Sequence, residues 1–110
     1  MSMELPAVAR GVRFSARRDG REVGHAYLYF LTNDLHKKPF GFLEDVWVDP
    51  AHRECGIGNE LLNDVLTVAI REGCYKLIAT SRDDGTRPCV HDWYIQLGFK
   101  DYGKEFRMNF

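Results

Sequence analysis

Several things are scarce in this chain, and each scarcity removes a class of function. Only three of its 110 residues are cysteine, Cys55, Cys74 and Cys89. The number is odd and no two have the spacing of a metal knuckle, so neither a disulfide framework nor a structural zinc site is expected. The thiols read as reduced, as in a cytoplasmic protein. An excess of one charge is also missing. The formal net charge is −1, which gives no general attraction to nucleic acid or to an anionic membrane. No stretch approaches the ~18 continuous apolar residues of a membrane span. Residues Met1 to Pro6 lack the apolar run of a signal peptide. The four histidines, His25, His36, His52 and His91, lack metal-ligand spacing, so no metal is expected. His25, on a strand, either borders a substrate cleft or is structural. There is no internal repeat.

What remains is an ordinary globular composition, 45% hydrophobic and 28% charged, of a length that fits one domain over residues 1–110. Val12 to Ala16 alternates apolar and polar as a half-buried strand does. Asp19-Gly20 signals a hairpin turn. The partner strand runs from Val23 to about Thr32. Val23, His25, Tyr27, Tyr29 and Leu31 should share one of its faces, and apolar groups on both faces imply cover on both sides. The basic cluster from Arg10 to Arg21 reads as a solvated hairpin. A third strand spans about Phe40 to Asp49, where Pro50 ends it. Ile57, Leu61, Leu62, Val65, Leu66, Ala69 and Ile70 recur at helical spacing, and Gly73 is placed to close that helix. Tyr75 to Thr80 reads as a fourth strand, parallel to the third through a right-handed crossover. Pro88 suits the first turn of a helix over about Cys89 to Leu97. Phe99-Lys100 and Glu105 to Phe110 should form a last hairpin about Asp101 to Lys104. The fold class is α+β, a mixed central sheet with helices on both faces.

The chain is organised around Val46 to Leu62: an apolar strand, a tight loop with two glycines, and the start of the long helix. The first N–H groups of such a helix have no partners within it, and the helix dipole adds positive charge there. That makes an anion site suited to phosphate. A P-loop would need Gly-Lys-Ser/Thr, but Asn59 and Glu60 follow Gly58. A dinucleotide fingerprint would need a third glycine where Leu61 stands.

The stretch resembles the acyl-CoA loop of the GNAT superfamily of N-acyltransferases. That pattern, Val-x-Pro-x-x-Arg-x-x-Gly-x-Gly/Ala and then two aliphatic residues, appears as Val48, Pro50, Arg53, Gly56, Gly58, Leu61 and Leu62. A second motif follows in the right order. The family's helix ending in aromatic-Tyr-x-x-x-Gly-Phe is matched by Trp93, Tyr94, Gly98 and Phe99. The chain departs from the family in joining its first two strands directly, with no helix between them. It also carries Arg87 where an asparagine is usual, and Val90 where a small residue is usual.

The resemblance implies acetyl-CoA as co-substrate and a primary amine as acceptor, joined by direct transfer in a ternary complex. The pantetheine arm is expected along the backbone of Val46, Trp47 and Val48. The pyrophosphate is expected on the N–H groups of Arg53, Glu54, Cys55, Gly56, Ile57, Gly58 and Asn59. Tyr94 is the implied proton donor to the departing thiolate. Glu44 is the candidate base, with Asp45 its competitor, because adjacent strand residues face opposite sides. Cys89 and His91 make no nucleophile–base pair, since helix residues two apart do not face each other. The alternatives are a non-catalytic acyl-CoA sensor and a structural subunit that pairs only through a sheet edge. A homodimer is expected, with the final strand offering an edge.

Overall fold

The computed structural model describes residues 2–4, 7–82, 85 and 88–110. The expectations for Met1, Leu5, Pro6 and Arg87 lie outside them. The chain divides into two compact units, Met1–Ala79 and Thr80–Phe110. No helix among the described residues is long and apolar enough to cross a membrane.

The first unit is a four-stranded mixed sheet in the order β1-β2-β3-β4, with one long helix. β1 (Val8–Arg18) and β2 (Arg21–Thr32) form an antiparallel hairpin. Asp19 and Gly20 turn it with φ of 55° and 76°, the two left-handed residues that match the twist of paired strands. No helix lies between these strands. β3 (Phe40–Val48) pairs antiparallel with β2. A short 3-10 turn at Pro50–His52 leads towards α1 (Ile57–Arg71), and β4 (Leu77–Ala79) then lies parallel to β3.

The core lies between α1 and one sheet face. Ile57, Leu61, Leu62, Val65 and Ala69 are buried against Val23, Ala26, Leu28, Phe30 and Leu43. Ile70 does not join them and is 77% exposed. At 3.6 residues per turn it lies ~140° around the helix from Val65, so apolar spacing alone counted one residue too many. Gly24 brings the start of α1 close: a Cβ there would meet Ile57 Cγ2 and Leu61 Cδ1 at 3.0 Å. The helix closes with a Schellman motif, Gly73 N–H to Ile70 O and Cys74 N–H to Ala69 O, both 3.0 Å.

Two expectations for β2 are corrected. Val23 leaves the His25 face because Ala16 pairs with Gly24 while Arg17 pairs with Glu22. Val23 is the extra residue of a bulge, so strict alternation fails there, and its side chain is fully buried. The face away from α1 is also not fully covered: His25 and Tyr27 are half-buried and Tyr29 is exposed. The cationic cluster is exposed but tied down. Arg10 pairs with Glu72, Arg13 with Glu22, Arg18 with Glu60 and Arg21 with Asp49.

The second unit holds α2 (Pro88–Gln96). The expected terminal hairpin is absent: residues 99–110 form no strand, and Tyr102, Phe106, Met108 and Phe110 are exposed. A tight turn there needs a left-handed glycine, and Gly103 is not among the residues of positive φ. Two short strands without a third are also marginal on their own.

Candidate active site

The site begins where β3 loses one of its neighbours. Gly41, Phe42 and Leu43 pair with Leu77, Ile78 and Ala79, and pairing with β4 then stops. Two residues further on, Asp45 turns left-handed at φ 50°. Asp45 and Val46 together stand opposite Ala26, so this is a bulge, which bends the strand. Aspartate tolerates that conformation better than most side chains. Beyond the bulge β3 pairs only with β2, through Trp47 with His25 and Val48 with Gly24. Asp49 N–H donates to Val23 O at 2.8 Å. Alternation along the strand therefore turns the backbone N–H and C=O of Val46 and Val48 away from β2. That edge has no strand partner among the described residues.

The loop continues from this edge. The Asp49 carboxylate accepts the Ala51 N–H at 3.1 Å and caps the 3-10 turn. That hydrogen bond, more than the charges of Arg21 and His52, holds its pKa below the usual carboxylate value. Arg53 is extended, and its Nε donates to Val48 O at 3.4 Å, which keeps the guanidinium beside the open edge. Glu54 and Gly56 then take φ of 67° and 80°, on either side of Cys55. Left-handed residues interleaved in this way turn successive N–H groups inward as an anion-binding nest. Gly56 is the N-cap of α1, with no side-chain cap bond. A Cβ on it would meet nothing within 4 Å. Glycine is needed there for its φ and leaves open space in front. Ile57 points into the core at 2% exposed, so only its backbone is offered. Gly58 is half-buried, and Cys55 and Asn59 are exposed.

The sheet face away from α1 carries the polar groups. Glu44 is the register partner of Tyr27, and directly paired residues share a face. This separates Glu44 from Asp45, which sits in the bulge. Trp47, 39% exposed, lies with its ring 5.3 Å from that of His25, and the Tyr27 ring stands edge-on to His25 at 5.7 Å. His25 Nδ1 lies 3.0 Å from the carbonyl oxygen of Asp45. The Tyr27 hydroxyl accepts from Arg13 Nε at 2.9 Å, and Arg13 also pairs with Glu22. Hydrogen bonds from Arg13 and then Ser15 bring the Glu22 carboxyl down to about 2. Arg13 is raised in turn, first by Glu22.

Tyr94 belongs to the second unit. α2 ends in its own Schellman motif, with Gly98 N–H to Ile95 O and Phe99 N–H to Tyr94 O, both 3.0 Å. Gly98 has φ 104°. The motif sets Tyr94 against Phe99 at 5.3 Å between ring centroids, and the Trp93 ring lies 5.6 Å from that of Tyr94. The Tyr-x-x-x-Gly-Phe pattern is thus also a helix stop that fixes the tyrosine ring.

The structure brings Val46, Trp47, Val48 and the loop residues Arg53 to Asn59 into one continuous edge, with Glu44 at its head. Sequence reading missed the bulge and the His25–Asp45 bond. The available signal was a pair of adjacent acids, Glu44 and Asp45, inside an otherwise apolar strand. Among the described residues no three His, Cys, Asp or Glu side chains are grouped to hold a metal ion.

The fold recurs in known proteins. The chain is similar to glucosamine 6-phosphate N-acetyltransferase of Trypanosoma brucei brucei, 31% identical over 97 residues, 87% of this chain and 63% of that protein. It therefore spans less than two thirds of that relative. It superposes on a putative acetyltransferase from Agrobacterium tumefaciens with TM-score 0.82 and 26% identity, over 90% of this chain and 68% of that one. It shares its fold with the aminoglycoside N-acetyltransferase AAC(6')-Iy, solved in complex with CoA, at TM-score 0.73 and 23% identity, over 88% and 73% of the two chains. The model of the acetyltransferase (GNAT) family matches residues 5–99, and the chain belongs to that family.

Proposed function

We propose that this chain is an N-acetyltransferase that moves the acetyl group of acetyl-CoA directly to a primary amine, without a covalent enzyme intermediate. One observation carries the reading: among the described residues the β3 edge beyond Leu43 has no strand beside it, and it runs into a left-handed loop at the start of α1. Such an edge suits an extended chain with amides, because strand-like pairing needs only N–H and C=O groups in register. Val46 and Val48 would supply them to the pantetheine arm. The nest from Arg53 to Asn59, with the Arg53 charge, would take the pyrophosphate. A backbone N–H of the same edge suits the oxyanion formed when the amine attacks. Tyr94 is the proposed donor to the departing sulfur. Glu44 faces the side away from α1, where a carboxylate can hold the acceptor ammonium for deprotonation.

The test is thiol release from acetyl-CoA across glucosamine 6-phosphate, an aminoglycoside, lysine and spermidine. We expect at least one amine to be acetylated, and Tyr94→Phe to lower kcat more than it changes acetyl-CoA affinity. Binding of acetyl-CoA without turnover of any amine would favour a sensor instead. That second reading has one observation behind it: β1 and β2 are joined by two residues, so no helix walls the acceptor side between them. A homodimer belongs to the same proposal. The exposed Phe106, Met108 and Phe110 alternate along a segment without strand partners, and a second copy would cover them. Sedimentation should then give twice the 12.7 kDa of one chain.

A further inference from the structure

The bulge that opens the β3 edge also aims a side chain. His25 lies on β2 directly across from Trp47, next to the bulge. Its Nδ1 is 3.0 Å from the carbonyl oxygen of Asp45. A carbonyl can only accept, so Nδ1 carries the proton, and in the neutral ring Nε2 is left with its lone pair. The rings of Trp47 and Tyr27, at 5.3 and 5.7 Å, hold the imidazole in place. No residue of the described chain is seen bonded to Nε2. A regular strand would not present the Asp45 carbonyl this way; the left-handed φ of that residue does.

We propose that His25 is the base that takes the proton from the acceptor ammonium, with Glu44 holding the cation beside it. This rests on the N-acetyl transfer reading. Imidazoles as a class titrate about two pH units closer to an amine than carboxylates do, roughly a hundredfold in proton affinity, which suits them to this step. The groups around His25 come from all three strands of this face. Ser15 faces His25 from β1, Glu22 and Tyr27 flank it on β2, Trp47 faces it from β3 and Glu44 stands one pair further on, opposite Tyr27, with Asp45 in the bulge. Two cations of β1 share this face: Arg13 is tied to Glu22, and Arg17 is the register partner of Glu22. The protons balance. One of the three on the ammonium goes to Nε2 and on to water. The neutral amine attacks the thioester carbon, a C–N bond forms and the C–S bond breaks. A second proton passes to the leaving sulfur, and the third stays on the amide.

The experiment compares wild type, His25→Asn and His25→Ala with the best amine of the panel above. Asparagine retains a donor near the Nδ1 position, so H25N keeps the bond to Asp45 O while losing the base. We expect kcat/KM to fall more than about thirtyfold in H25N, with acetyl-CoA affinity within twofold of wild type by calorimetry. The acid limb of the pH profile should disappear, and added imidazole should restore part of the rate to H25A. An active wild type whose H25N variant keeps its rate and its acid limb overturns the proposal. So does loss of that limb in Glu44→Gln alone. A wild type that binds acetyl-CoA and acetylates nothing refutes the transfer reading itself, and this assignment with it.

Discussion

The two halves of β3 differ more than their sequences suggest. Phe40 to Leu43 is flanked by β2 on one side and β4 on the other, and Leu43 is buried at 2% exposed. Glu44 to Val48 keeps β2 but has no strand on its outer edge among the described residues. Both halves are strand, and both contain large apolar residues. What separates them is one left-handed aspartate and the early end of β4. The first half spends its hydrogen-bonding groups on the fold, and the second leaves a row of them for something else. A protein does not leave sheet edges open without cost, so the second half is where a ligand is expected.

The sharpest way to break that comparison is to damage the closed half and ask whether the open half notices. Leu28, fully buried opposite Leu43, should cost about 2–5 kcal/mol as Leu28→Ala. Urea denaturation should show that loss while the folded fraction binds acetyl-CoA as before. Damage to the open half should do the reverse. Gly56→Val forces a branched side chain into φ 80° and places it where the nest is open. Stability should fall by about 1–2 kcal/mol, and calorimetry should show acetyl-CoA affinity down more than tenfold.

A finer cut is Val48→Pro. It removes an N–H that faces away from β2, so the β2–β3 ladder keeps its bonds. Acetyl-CoA affinity should fall by about 1 kcal/mol, the net worth of one hydrogen bond, with a smaller change in melting temperature. The smallest effect lies on the sheet face that carries Glu44. Glu22 is held at about 2 against an ordinary 4.5. A carboxyl lowered on folding contributes its full stability above the ordinary value and loses it as pH falls towards the folded one. Glu22→Gln should therefore lower the melting temperature most at neutral pH and flatten its loss between those two pH values, so that variant and wild type converge at the acid end.

Much of this was legible in the chain itself. Asp19-Gly20 named its turn, Val46 to Leu62 read as strand, loop and helix, and Tyr94 to Phe99 carried a helix stop. What escaped was where regular periods break. Val23 and Asp45 each shift a register by one residue, and period-two reading has no term for a bulge. Ile70 looked like part of the apolar stripe because spacing was counted without following its angle around the helix. Phe106, Met108 and Phe110 alternate like a strand, but alternation does not supply a partner or a left-handed Gly103. His25 was visible only as a histidine on a strand. Its tautomer became readable when the bulge placed a carbonyl at Nδ1.

The most direct test is backbone amide hydrogen exchange along β3, with and without acetyl-CoA. The account expects Val46, Val48 and the amides from Arg53 to Asn59 to exchange more slowly when acetyl-CoA is added, while Gly41 to Leu43, already paired with β4, change little. No new protection in the second half of β3, or equal protection throughout the sheet, would contradict it.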